Sequence, residues 1–253
     1  MSESRTPDIY LRVAIAVLIG ILLEVVIAAV FLLSRLPAGA AIGHIFDALL
    51  ALNSVQALWY VTRAAGIIAY LLLWLSTAWG LAVSSKILDP VLHRAFTYDF
   101  HQFLSLLAIG FVVLHVAVLV GDRYLPFSIA AVLIPFASPY RPVWVGVGII
   151  AFYLSLLVSV TFYIRSWIGI KTFRAIHTAS FIAFFGAALH GLLSGTDSPL
   201  TAMQLVYAGT TLVVVFLTAY WAILAWLNRA RPQNVANPPH GVPLRATNRP
   251  RAG

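Results

Sequence analysis

Six long apolar segments divide the sequence, and they constrain its fold more than any other feature. A helix that crosses a bilayer needs ~20 predominantly apolar residues, because each residue advances the helix by ~1.5 Å. The six segments meet this length. They cover residues 13–33, 64–83, 98–120, 143–164, 175–193 and 203–227. The pattern predicts an all-α, polytopic membrane protein built as a six-helix transmembrane bundle.

The composition agrees with a location in a membrane. Only 9% of the 253 residues are charged and 61% are hydrophobic, which is far less charge than a water-soluble domain carries. The chain has no cysteine, so it holds no disulfide, iron–sulfur cluster or thiolate zinc site. The net charge of +8 comes mostly from arginines beside the apolar segments. This placement indicates membrane interfaces and argues against a nucleic-acid partner.

Basic residues also predict the orientation of the bundle, since short loops rich in lysine and arginine stay in the cytoplasm. Lys86 and Arg94 lie between the second and third segments, and Arg165, Lys171 and Arg174 lie between the fourth and fifth. Both termini are then predicted to be cytoplasmic, in agreement with an even number of crossings. We expect the plasma membrane to be the location.

The chain divides into three predicted regions. Residues 1–54 form the first helix and an outer interfacial segment at 42–52, residues 55–228 form the main transmembrane domain, and residues 229–253 form a disordered basic cytoplasmic tail. A second short apolar stretch, at residues 125–136, contains Pro126 and Pro135. It is too short to span a bilayer, so we expect it to be interfacial or re-entrant.

Four of the seven histidines lie inside predicted spans, where ionisable side chains are rare and are functional candidates. His101 and His115 belong to the third span, and His177 and His190 to the fifth. Both spans are predicted to run outward, so His101 and His177 fall near the cytoplasmic end, whereas His115 and His190 fall near the outer end. Their spacings of 14 and 13 residues separate the two levels by roughly 20 Å.

Two imidazoles at one depth on facing helices can take both axial positions of a haem iron. Two such pairs predict two stacked haems. A site for a bare metal ion is less favoured, because two imidazoles alone are too few ligands to hold such an ion well. The remaining alternative is that these histidines pack in the interior and hydrogen-bond to neighbouring helices. Their occurrence in two depth-matched pairs favours ligation.

The spacings also predict where the rings point. At ~100° per residue, 14 residues leave His101 and His115 about 40° apart, on one face of their helix. Thirteen residues leave His177 and His190 about 140° apart in an ideal helix. The fifth span must therefore kink or carry a bulge, for which Gly186 is one candidate position, or present its two rings from different sides.

Other motifs accompany the four histidines. They are Trp-Tyr-Val-Thr-Arg-Ala-Ala-Gly at residues 59–66, Arg-Ala-Ile-His at residues 174–177 and His-Gly at residues 190–191. With these motifs, residues 55–227 resemble the ferric reductase-like transmembrane domain family, which includes the membrane halves of NADPH oxidases and the haem subunit of the bacterial methionine sulfoxide reductase system. The resemblance implies that His101 with His177 and His115 with His190 ligate two b-type haems, and that the 13-residue spacing is tolerated.

The resemblance also concerns two arginines. It suggests that Arg63 lies by the outer haem, where it can pair with a propionate or an electron acceptor, and Arg174 can similarly meet the propionates of the inner haem. Each has an alternative role as an ordinary arginine at the membrane interface.

Together these observations predict a transmembrane b-type cytochrome, the membrane component of an oxidoreductase, that carries electrons from the cytoplasmic haem to the outer haem. No glycine-rich nucleotide motif is present, so we expect a separate cytoplasmic flavin reductase or the quinol pool to be the donor. Ferric iron, oxygen or an extracytoplasmic partner protein is the expected acceptor.

Three alternatives stay open. The chain can be a haem-bearing subunit that passes quinol- or flavin-derived electrons to a partner such as a methionine sulfoxide reductase. It can be a quinone-linked cytochrome in which Glu24, in the middle of the first span, handles protons. The least favoured alternative is a channel or scaffold without redox chemistry, whose histidines are structural.

Overall fold

The computed structural model describes residues 56–230, and side chains up to residue 227. The predicted first span at 13–33 with its Glu24, the segment at 42–52 and the tail from residue 231 onward lie outside the described residues. The whole predicted region 1–54 and its boundary therefore lie outside them.

The described residues form eight helices joined by short turns, with no strand among them. The helices are α1 (Ala57–Ser84), α2 (Arg94–Gly121), α3 (Ile129–Leu133), α4 (Pro142–Tyr163), α5 (Arg165–Ile168), α6 (Ile170–His177), α7 (Ala179–Ser194) and α8 (Thr201–Ala230).

Five helical stretches of the described part are long and apolar enough to cross a membrane. They are α1, α2, α4, α6 together with α7 (Ile170–Ser194), and Thr201–Leu227 of α8. Each contains one of the five spans predicted from residue 64 onward, to within one residue. The prediction of an all-helical membrane protein is confirmed at this level.

The surface of the bundle is apolar and its helix contacts are made by small residues. On α8, Leu212, Phe216 and Ile223 each expose more than half of their surface, which suits contact with lipid rather than water. Where α1 packs on α2, small side chains such as Ala65 and Ala108 are buried. Small residues let two helices approach closely, which is how helices associate inside a bilayer.

Helices α1 and α2 form an antiparallel hairpin, and this pair and the α4–α7 pair make the most extensive contacts of the described bundle. At one end of the hairpin Leu58 packs with Val118. At the other end the indole Nε1 of Trp79 donates to the carbonyl oxygen of Thr97 at 2.9 Å. These contacts hold the two helices in one register along their whole length.

The short helix α3 follows α2 and lies against its end. The hydroxyl of Ser128 caps α3 by accepting from the N–H of Ala131 at 3.1 Å, and Phe127 and Val132 are buried against the end of α2. Five residues cannot cross a bilayer, in line with the prediction that residues 125–136 do not span. Its position relative to a membrane surface stays a prediction.

The fifth span is interrupted at Thr178, directly after one of its two histidines. The Thr178 hydroxyl donates to the carbonyl oxygen of Ala175 at 2.6 Å, and such bonds from threonine to the preceding turn bend helices. Gly186, the candidate position for a kink, instead lies within the uninterrupted α7 and packs against Ala151 of α4. The expected irregularity therefore exists, but its proposed position was wrong. The break therefore lies between His177 and the first residue of α7.

Candidate functional site: two pairs of histidines

The first level consists of His101 on α2 and His177 on α6. Their ring centres lie 6.1 Å apart and the ring planes meet at 76°. The ring of Phe173, one turn before His177, packs against His177 with the centres 5.3 Å apart. Sequence reasoning placed these two histidines at one depth, and the structure brings them together.

The distance between the two rings suits a metal ion between them. An imidazole nitrogen binds a transition metal at ~2.0 Å, so two imidazoles on opposite sides of one ion have ring centres about 6 Å apart. The observed 6.1 Å meets this requirement. His101 and His177 can therefore occupy the two axial positions of one iron.

The second level consists of His115 on α2 and His190 on α7. Both histidines line one cavity of about 220 Å³ between α1, α2, α4 and α7. Its wall is mostly apolar, with a few polar groups, among them Arg63 and Tyr207. Enclosed apolar cavities with few convergent polar groups are typical of cofactor sites.

Hydrogen bonds define the tautomer of both histidines of the second level. Nδ1 of His115 lies 2.7 Å from the carbonyl oxygen of Thr62, and Nδ1 of His190 lies 2.9 Å from the carbonyl oxygen of Trp144. A carbonyl oxygen only accepts, so each Nδ1 carries the hydrogen and each Nε2 keeps a free lone pair. This arrangement is typical of histidines that ligate a metal through Nε2.

The two histidines of the first level differ from each other. Nδ1 of His101 lies 3.3 Å from the hydroxyl of Ser76, which also bonds to the hydroxyl of Ser105 at 2.7 Å. Nδ1 of His177 is buried and has no hydrogen-bond partner among the described residues. The ring of His101 therefore has a polar contact that the ring of His177 lacks.

Three of the four histidine rings lie against a glycine of a neighbouring helix, at a distance that leaves no space for a side chain. The pairs are His115 with Gly66, His101 with Gly80 and His190 with Gly148. A methyl group on Gly66 would lie 2.9 Å from Nδ1 of His115, and one on Gly148 would lie 2.5 Å from Nδ1 of His190. We call these three glycines the notch glycines, because the absent side chain makes the space that the ring fills.

Each notch glycine lies four residues after the hydrogen-bond partner of the same histidine. The partners are Thr62, Ser76 and Trp144, and the glycines are Gly66, Gly80 and Gly148. Residues four apart share one face of a helix. The same face of the neighbouring helix therefore provides the space for the histidine ring and the oxygen atom near its Nδ1. On α1 the arrangement occurs twice, 14 residues apart, and His101 and His115 on α2 have the same spacing.

Sequence reasoning missed this repeat, although its signal was present. A small hydroxyl residue is followed four positions later by glycine at residues 62–66 and again at residues 76–80. Both copies lie on α1.

The two arginines of the prediction have different surroundings. Arg63 lines the cavity of the second level and forms a two-point ion pair with Asp197, in which Nε lies 2.8 Å from Oδ2 and Nη2 contacts Oδ1. Asp197 belongs to the loop between α7 and α8 and was not identified from the sequence. Arg174 lies one turn before His177, is exposed, and has no ion-pair partner in the part of the chain that the structure describes.

Within residues 56–227, no group of three or more His, Cys, Asp or Glu side chains comes together as a metal site. The histidines meet as two pairs. A pair supplies two ligands, as a haem iron with two protein ligands requires.

No family model, no curated protein and no solved structure matches this chain.

Proposed function

We propose that this protein is a transmembrane b-type cytochrome, similar to the ferric reductase-like family, that moves single electrons through two haems held by His101 with His177 and by His115 with His190. The observation that carries the proposal is the 6.1 Å distance between the ring centres of His101 and His177. It suits two ligands on opposite faces of one iron. The shared cavity of the second pair supports the same role.

Haem supplies the one-electron chemistry when it is bound, and the chain's own residues hold and orient it. The carbonyl oxygens of Thr62 and Trp144 keep the Nδ1 hydrogens of His115 and His190 in place, so that Nε2 is the ligating atom. The wall of the cavity at the second level is mostly apolar, which limits its polar contacts to a few groups. Arg63 supplies positive charge beside that cavity, and Asp197 orients it.

The proposal includes the finer topology: six spans in the plasma membrane, both termini in the cytoplasm, and electron flow from the first level to the second. Lys86 follows α1 directly, and Lys171 and Arg174 lie on the helix that carries His177. These basic residues therefore belong to the end of the bundle where the first level lies, which supports a cytoplasmic first level. A separate flavin reductase or the quinol pool is the proposed donor, and ferric iron, oxygen or an extracytoplasmic protein the acceptor.

A reduced-minus-oxidised absorption spectrum of the detergent-purified protein tests the proposal, with the haem content measured as the pyridine haemochrome. We expect about two b-type haems per chain. His101→Ala and His115→Ala should each remove about one of them, because one level loses a ligand. The control His93→Ala, an exposed histidine outside both levels, should keep both. A wild-type protein without haem, or haem content that is the same in all variants, would contradict the proposal.

The orientation can be tested separately with single cysteines, because the natural chain has none. Lys86→Cys and Thr196→Cys introduce thiols at exposed positions of two loops. A membrane-impermeant maleimide should label Lys86→Cys only from the cytoplasmic side and Thr196→Cys only from the opposite side. Labelling of both from one side, or the reverse pattern, would refute the proposed topology.

A further inference from the structure

The four histidines are not held equally firmly. His101, His115 and His190 each lie against a notch glycine and each has an oxygen atom near Nδ1. The ring of His177 lies against none of the three notch glycines, and its buried Nδ1 has no hydrogen-bond partner among the described residues. Partners of this kind are worth about 10–100-fold in metal affinity. His177 therefore lacks a contribution that the other three ligands have.

The helix that carries His177 is also held by few contacts. Helix α6 has eight residues, none of them buried. It begins after Gly169, whose φ of 83° is left-handed, and it ends at the break at Thr178. The other three histidines lie inside helices of 16 to 28 residues that contain buried side chains. A shift of α6 consequently disturbs little packing.

The release of His177 from a metal would have a favourable energetic contribution, which comes from its Nδ1. A buried N–H without an acceptor is unfavourable, and the Nδ1–H of His177 is such a group when Nε2 is the ligating atom. Several residues of α6, including Lys171 and Arg174, are exposed. Rotation of the ring toward that surface would give Nδ1 a water partner.

We propose that His177 is the exchangeable ligand among the four, and that the first level binds a small neutral ligand such as carbon monoxide in its place while the second level stays closed. This inference rests on the proposed function. In the exchange, the bond between Nε2 of His177 and the ferrous iron breaks and a bond from the carbon atom of carbon monoxide forms. No electron and no proton is transferred, and His177 stays neutral.

Titration of the dithionite-reduced, haem-loaded protein with carbon monoxide tests the proposal by absorption difference spectra. We expect about one carbon monoxide for every two haems. His190→Ala should raise this ratio toward one carbon monoxide per haem. If the variant keeps the haem of the second level, that haem has lost a ligand and binds carbon monoxide as well. If the variant loses that haem, only the reactive haem of the first level remains. Wild-type protein that carries haem but binds no carbon monoxide would overturn the inference and leave the proposed function intact. So would a ratio that falls toward zero in His190→Ala.

A matched pair of variants tests the role of the hydrogen-bond partners themselves. Ser76→Ala removes the side-chain partner of His101, the ligand that stays at the first level, so this level should hold its haem about tenfold less tightly and the carbon monoxide bound per chain should fall. Thr62→Val keeps the backbone carbonyl that His115 contacts, so the carbon monoxide bound per chain should stay as in the wild type. A loss in Thr62→Val without one in Ser76→Ala would refute the assignment of the reactive level.

Discussion

Gly148 on α4 is the position where a single methyl group should have the largest effect on the site. The Cβ of an alanine there would lie 2.5 Å from Nδ1 and 2.6 Å from Cγ of His190, whereas non-bonded heavy atoms rest ~3.5–4.0 Å apart. The ring of His190 must move away from residue 148 by about 1 Å. Its Nδ1, now 2.9 Å from the carbonyl oxygen of Trp144, would then be beyond hydrogen-bond distance.

The energetic cost of Gly148→Ala has three contributions. Overpacking of a tight interior costs ~1–3 kcal/mol, and a buried N–H that loses its acceptor costs ~1–3 kcal/mol. The higher helix propensity of alanine offsets ~1 kcal/mol of this loss in stability. The free energy of unfolding should therefore fall by about 3 kcal/mol, which corresponds to a melting temperature lower by about 10 °C for a chain of this size.

Thermal unfolding of the detergent-solubilised protein, followed by size-exclusion chromatography, measures this loss. The matched control is Gly209→Ala on α8, where an added Cβ meets no atom within 4 Å. This control gains the same helix propensity without a clash, so its melting temperature should be unchanged or higher. If Gly148→Ala and Gly209→Ala melt at the same temperature, His190 does not fill the notch at Gly148 and the reasoning fails.

Two further predictions concern contacts away from the histidines. Arg63→Gln and Asp197→Asn should each lower the melting temperature. A double-mutant cycle should give a coupling energy of about 1 kcal/mol, because both side chains are only partly buried. Strictly additive losses would show that the ion pair is not formed. Tyr70→Phe removes the hydroxyl that lies 2.5 Å from Oγ1 of Thr210 and should cost ~1 kcal/mol. Tyr60→Phe, at an exposed tyrosine, should melt like the wild type, and equal losses in both variants would contradict the assigned bond.

The positions of the helices could be predicted from the sequence because membrane spans depend on a local property. In lipid, the backbone of a run of about 20 apolar residues can satisfy its hydrogen bonds only by forming a helix. The pairing of His101 with His177 followed from the same property, because depth along a span is counted in residues. Neither inference needed to know which helices are neighbours.

The details of the site depended on which helices are neighbours, and local patterns do not contain this information. Asp197 is a single acidic residue in the six-residue loop 195–200, and its partner Arg63 lies 134 positions earlier in the chain. The break at Thr178 lacks the proline that marks many helix kinks. Of these details, only the repeated spacing on α1 can be predicted from the sequence, because the interval between its two pairs of small residues equals the interval between His101 and His115.

The hairpin of α1 and α2 joins the two levels through one shared interface. Both notch glycines of α1 and both histidines of α2 meet in a single register. If α1 moved along α2 by one turn, ~5.4 Å, His101 would leave Gly80 and His115 would leave Gly66 at the same moment. Whatever fills one level therefore stabilises the register that the other level needs, and it does so across roughly 20 Å. If the two levels bind haem as proposed, they should fill cooperatively during assembly, so that wild-type chains carrying a single haem are rare.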